Sequence, residues 1–251
     1  MQPRPVAVLV GGVSQLFQGD LDLGRLAVEQ LAAEDLGHGV LVEDLHYGAV
    51  AVAQRLQEVQ PAALVLVGAE QRGRSPGAVT RRHATASAAN LQAAVADAVQ
   101  GYVSIDLVVD VAAGLDALPE RVVAVEVEPA STATSEELSA PARRGLVGAL
   151  AVVRQEVQRS PVLLLATEIR AALADHALAP SPALRVTEQL LDELARLDRD
   201  GRWGRTFGLR DQLRSAIAAG MTGEGMTHLD WGLWWTLIEA LDRLQRAEAT
   251  A

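Results

Sequence analysis

The chain has 251 residues, 49% of them hydrophobic, a formal net charge of -10, and neither cysteine nor lysine. That length buries a sizeable core, while the missing residues exclude disulfides, thiolate or iron–sulfur ligation, a cysteine nucleophile, Schiff-base chemistry and a P-loop lysine. The acidic balance disfavours nucleic acid and anionic membrane as partners. No apolar run approaches the ~20 residues of a membrane span, and MQPRP leads straight into a strand, so a cytoplasmic protein is expected. Asp, Glu, His and hydroxyl groups remain for chemistry.

In chain order, Val6–Val10 is an unbroken apolar run that reads as a buried strand, broken at Gly11 and Gly12. A polar loop with Asp20 and Asp22 around Leu21 leads to an amphipathic helix over Leu23–Ala33. A strand that hands over through such a loop to a helix commonly forms one wall of an α/β ligand crevice. Gly37 and Gly39 precede a second strand at Val40–Glu43, and Ala49–Val59 reads as a helix stopped before Pro61. Ala63–Val67 is a third strand. Gly68 to Gly77 is a loop whose Arg72 and Arg74 are expected to be solvated or to reach an acidic tail, and Ala78–Arg82 fits a further strand. The alanine-rich stretch Ala84–Gln100 fits helix or loop, Ile105–Leu115 is helical by period, and Arg121–Glu128 has the β-branched alternation of a central strand. A polar loop from Pro129 to Ser139 precedes a helix opened by Pro141 and ending near Gln158. The alternation predicts an α/β fold, with a twisted, mostly parallel sheet between helices on both faces.

From Ser160 the pattern changes. Val162–Leu178, Leu184–Asp198, Leu209–Ala219 and Leu229–Gln245 have apolar residues at helical spacing, with breaks at 179–182, 201–208 and 220–225. The expected organisation is an α/β domain over 1–159 and an all-helical domain over 160–251. All four tryptophans, Trp203, Trp231, Trp234 and Trp235, lie in the second. The helix that holds Trp231, Trp234 and Trp235 either forms the core of its own bundle or offers an aromatic surface to a partner.

The first domain carries an ordered set of landmarks. Gly12-Val13-Ser14-Gln15-Leu16-Phe17-Gln18-Gly19-Asp20-Leu21-Asp22-Leu23-Gly24 runs into Val28-Glu29-Gln30-Leu31. Asp44 follows in VEDLHYG, then Leu64-Val65-Leu66-Val67-Gly68-Ala69, Pro76-Gly77-Ala78, Pro119-Glu120-Arg121-Val122 and Leu138-Ser139. In this order they resemble the hydrogenase maturation proteases over roughly residues 6–157. That family opens with a G-x-G-N-x-L-x-G-D-[DE]-G-x-G loop and removes a C-terminal peptide from the large subunit of nickel–iron hydrogenases. The resemblance implies the family's α/β sandwich, a hydrogenase large subunit or another assembly protein as partner, and no tightly bound cofactor, with nickel sensed in the substrate.

The departures fall on the family's chemistry. Its nickel-reading set is an acid in the first loop, the aspartate after the second strand and a histidine near the fourth crossover, donors suited to a borderline divalent ion. In register the first acid is Leu21, the histidine falls in the histidine-free stretch Gly101–Ile105, and the aspartate of the third strand is Gly68. The candidate metal ligands are therefore Asp20 and Asp22, which flank Leu21, together with Asp44 and His46; no catalytic residue is assigned. Each also has an ordinary reading: Asp20 and Asp22 as helix-start acids, His46 as a solvated loop residue. His83 stands in a basic exposed context, and His38, His176 and His228 stand alone. Three functions follow: a non-catalytic relative that binds a hydrogenase assembly partner, an active endopeptidase, or an unrelated small-molecule-binding α/β protein.

Overall fold

The computed structural model describes residues 7–87, 103–175, 181–220 and 231–250. Residues 88–100 of the alanine-rich stretch, Gly101 and Tyr102, His176, His228 and parts of the breaks near 179 and 221–225 lie outside the described residues. The chain divides into two compact units, Met1–Gln158 and Arg159–Ala251.

In the first unit the strands are β1 (Val8–Val13), β2 (Val40–Asp44), β3 (Ala63–Ala69), β4 (Val79–His83) and β5 (Arg121–Val127). They form one sheet in the order β2-β1-β3-β5-β4, parallel except for the antiparallel edge strand β4. The helices are α1 (Leu23–Ala32), α2 (Ala49–Val59), α3 (Ile105–Gly114) and α4 (Ala140–Asp175). Alternation along β1 decides which face each residue serves. Leu9 and Val13 join Leu64 and Leu66 in a core with Val52 and Leu56 of α2 and Val108 and Val111 of α3. Gly12 lies under Gly24 and Val28 of α1, and Gly145 of α4 lies over Val127. Helices thus cover both faces of a mostly parallel sheet, as the pattern predicts.

Two of the differences from the boundaries read in the sequence have a clear physical cause. β1 does not break at Gly11 and Gly12 but continues to Val13, because close packing on both faces requires glycine there. A Cβ at Gly11 would run into Leu45, one at Gly12 into the carbonyl oxygen of Gly24, and one at Gly24 into that of Val13. Gly24→Ala is accordingly expected to destabilise the first unit by about 1–3 kcal/mol through overpacking. A urea titration checks this, and an unchanged midpoint would refute the close approach. The second difference is α4, a single helix through Pro161 where the sequence was read as two. Proline forfeits one intrahelical bond. Burial of Val157, Ser160, Val162 and Leu163 on either side offsets that cost.

In the second unit, α4 beyond Arg159 is joined by α5 (Pro182–Asp200), α6 (Thr206–Gly220) and α7 (Trp231–Thr250). Ser181 caps α5 by accepting from the amide of Leu184, Pro182 occupies the first turn, and Gly201 ends the helix in the left-handed conformation at φ 68. Ile169, Leu190, Leu194, Leu197, Leu213, Leu237 and Leu241 close a core around Trp234, whose indole N–H donates to Thr187 Oγ1 at 3.0 Å. Trp203 stacks on Phe207 at 4.9 Å, with the Arg159 guanidinium 5.4 Å from its ring centroid. Trp234 is thus a core residue of its own bundle, and Trp203 and Trp235 pack against the same core.

Candidate functional site

The strand order reverses between β1 and β3, and in a parallel sheet the crevice opens at the carboxyl ends of the strands flanking that reversal. Here the chain itself spans the place. The loop after β1 passes a short 3-10 turn, Gly19–Asp22, and reaches the connection after β5, with β3 lying between the two strands. Gly19 N–H donates to Ser135 O at 3.0 Å, Asp20 N–H to Ser131 O at 3.1 Å and Ser135 N–H to Phe17 O at 3.0 Å. On the other side, Gln15 Nε2 donates to Val103 O at 3.2 Å just before α3.

Asp20 fixes this crossing. Its carboxylate is fully buried and accepts from the amides of Ala130 at 2.7 Å, Ser131 at 3.0 Å and Ser139 at 2.6 Å, and from Ser139 Oγ at 2.8 Å. Burial pushes its pKa upward, but the bonds from Ser139, Ala130 and Ser131 outweigh it and hold the group below the usual carboxylate value. Asp20 therefore ties the first landmark loop to the last, Leu138-Ser139, in addition to opening a helix.

Asp22 is also engaged. It takes a two-pronged contact from Arg25, with Nε 3.0 Å from each oxygen and Nη2 at 2.5 Å from Oδ2. Asp44, at the end of β2 and opposite Gly12 in register, accepts from Ser14 Oγ at 3.4 Å and lies 2.9 Å from His46 Nδ1. Of the four candidate ligands, Asp44 and His46 thus stand together, while Asp20 and Asp22 face protein donors. Among the described residues no group of three or more His, Asp or Glu side chains is arranged to hold a metal ion. At Gly68 a Cβ would lie 2.7 Å from Val13 O, so the backbone has no room for an aspartate there.

Arg72 and Arg74, expected to be solvated, are instead ion-paired. Arg72 meets Asp106 at 2.7 Å and Glu126 at 2.8 Å; Arg74 meets Glu126 at 3.0 Å and Glu128 at 3.2 Å; Arg82 of β4 reaches Glu126 at 2.8 Å and also binds Asp106. Glu126 is 1% exposed, so its charge is tolerable only with such partners. Burial raises its pKa, but Arg72 and Arg82 win and hold it below the usual range. Beside them Glu70 accepts from the Ile105 amide at 2.6 Å at the start of α3. There burial prevails, and Glu70 is pushed above the ordinary glutamate value despite that bond and Arg72. The period-two pairs Arg72/Arg74 and Glu126/Glu128 are the trace this cluster leaves in the sequence. A cavity of about 300 Å³ lies at the opposite end of β2, lined by Leu31, Glu34, Leu36, Val40 and Val42 among others.

No family model matches the chain, and no curated protein matches it either. Solved structures do. The hydrogenase maturating endopeptidase HybD from E. coli shares 19% identity over 58% of this chain and 88% of its own, with a TM-score of 0.46. The hydrogenase maturation protease HycI from Thermococcus kodakarensis shares 16% over 61% and 93%, with a TM-score of 0.46. The hydrogenase 2 maturation peptidase from Thaumarchaeota archaeon SCGC_AB-539-E09 shares 20% over 58% and 94%, with a TM-score of 0.42. They are hydrogenase maturation proteases. The order of sequence landmarks resembles the same family, and the likeness in structure is one of fold.

Proposed function

We propose that this protein acts in nickel–iron hydrogenase assembly as a binding or accessory relative of the maturation proteases. The hydrogenase setting is supported by the six landmarks in their order. The non-catalytic role is supported by one observation: the carboxylates flanking Leu21 face protein donors, with Asp20 on three amides and a hydroxyl and Asp22 on Arg25. A carboxylate engaged in this way must give up those bonds to coordinate an ion, and Leu21 has no donor atom. The expected partner is a hydrogenase large subunit or another protein of its assembly, met in the cytoplasm.

The pairing of Asp44 with His46 favours a second reading, a rearranged nickel-sensing endopeptidase. A carboxylate that orients Nδ1 of an imidazole leaves Nε2 to face a metal. Calorimetric titration with nickel and with cadmium, beside a cleavage assay on a large-subunit precursor from the same host, separates the two. The accessory reading expects the precursor to co-purify uncleaved and no heat of binding at millimolar metal. Cleavage that Asp44→Ala abolishes establishes the enzyme instead.

A further inference from the structure

Four of the six large apolar residues that stand exposed among the described residues, Leu16, Phe17, Tyr47 and Val50, lie on the loops following β1 and β2 or in the first turn of α2. The two strands are paired, Gly12 opposite Asp44, and the Ser14 hydroxyl reaches Asp44, so both connections leave the same carboxyl edge of the sheet side by side. Phe17 is 60% exposed. Its backbone has φ +62, a conformation that a bulky L residue adopts only when its surroundings impose it. The imposing contacts are the Phe17 carbonyl accepting from Ser135 and the Gly19 amide donating to it, which lock the loop while the ring points outward. A strained aromatic held into solvent beside three further apolar side chains is a binding feature more than a folding one.

Carboxylates are in excess around this rim, where Asp22, Glu29, Glu43, Asp44 and Glu58 face the two guanidiniums of Arg25 and Arg55 and the His46 imidazole. Arg25 is spent on Asp22 and Arg55 on Glu43, at 2.5 Å in each case, and no described arginine hydrogen-bonds to Asp20 or Asp44. Asp44 is the partly exposed member, beside the His46 imidazole and the Ser14 hydroxyl, with Arg25 near enough to feel its charge. The protein as a whole carries -10. An acidic segment would be repelled, whereas a basic one gains complementarity at the carboxylate and steering from the overall field.

We infer that the apolar rim formed by Leu16, Phe17, Tyr47 and Val50 beside Asp44 docks a flexible peptide segment that combines an aromatic or aliphatic anchor with arginine or lysine. The anchor packs against Phe17 and Tyr47, and the cation faces Asp44. This inference is independent of the hydrogenase setting, since it concerns the chemistry of the segment and not the protein that carries it.

Two labelled nonapeptides test it with the full chain, one alternating arginine with leucine and phenylalanine, the other with glutamate in place of arginine. By fluorescence anisotropy the arginine peptide is expected to bind at least about tenfold more tightly than its twin, and to weaken as salt screens the rim. Phe17→Gly, which relaxes the backbone, and Tyr47→Ser are each expected to weaken it about fivefold or more with no loss of thermal midpoint. Equal affinity for both peptides, binding by neither, or binding indifferent to both substitutions overturns the inference. So does a dimer in sedimentation that Phe17→Gly dissolves, because the rim is then covered by a second copy of the chain.

Discussion

Asp20→Ala is expected to cost the first unit about 3–5 kcal/mol of folding stability, the largest loss from any single change in the loop after β1. The carboxylate accepts three amides and one hydroxyl from the connection that follows β5, and alanine leaves all four donors without it. Asp20→Asn keeps the shape but turns one acceptor oxygen into a donor among donors, so a loss of about 1–3 kcal/mol is expected. The native pKa lies below the unfolded value, so this stability is present above about pH 4 and is lost as pH falls through the lowered native pKa. Urea titrations at pH 7 and pH 3 check both parts. At pH 7 the gap between wild type and Asp20→Ala should be wide, and at pH 3 it should be narrower. A variant within about 0.5 kcal/mol of wild type at pH 7 would show that the loop crossing does not depend on this carboxylate.

How much of this could be read beforehand depended on whether the determining contact was local. The Ala49–Val59 helix follows from its apolar residues and the stop before Pro61, and the Ile105 start of α3 from apolar period, and both match the structure. The β-branched run from Arg121 led directly to β5, which lies between β3 and β4. The end of β1 was misplaced because glycine normally marks a turn, whereas Gly12 is set by the helix backbone of Gly24 lying on it. Pro161 likewise reads as a break, and only burial on both sides keeps the helix continuous. At the site, Asp20 was legible as a helix-start acid, but its partners are 110 to 119 residues away in sequence. The ion pairs of Arg72 and Arg74 are hidden for the same reason, since the glutamates that hold them, Glu126 and Glu128, are 52 to 56 residues further along the chain and Asp106 is also distant in sequence. The proximity of Asp44 and His46, two residues apart, was the part of the site that spacing alone could deliver.

Glu156→Ala is expected to destabilise the first unit by about 3–5 kcal/mol, for a reason opposite to that at Asp20. Glu156 of α4 is 1% exposed and receives Arg121 of β5 at 2.7 Å and Arg81 of β4 at 3.0 Å, joining the helix to two adjacent antiparallel strands. Burial alone would raise its pKa, but the two arginines prevail and hold it below the usual glutamate value, so the native group is charged. Removing it leaves two guanidinium groups, that of Arg121 only 8% exposed, facing each other across the space a carboxylate had neutralised. At Asp20 the loss is of an acceptor; here it is of a counter-charge. The two cases separate under compensation. Replacing Arg81 and Arg121 by Met together with Glu156→Leu removes these three charges together and should bring stability back to wild type or above it, because a buried ion pair seldom outperforms apolar packing of similar volume. No apolar replacement rescues Asp20, whose donors are backbone amides that cannot be substituted away. Denaturation midpoints of Glu156→Ala and of the triple variant decide the point. A single variant that loses less than about 1 kcal/mol, or a triple variant no better than the single, would mean that geometry and not charge holds β4 and β5 to α4.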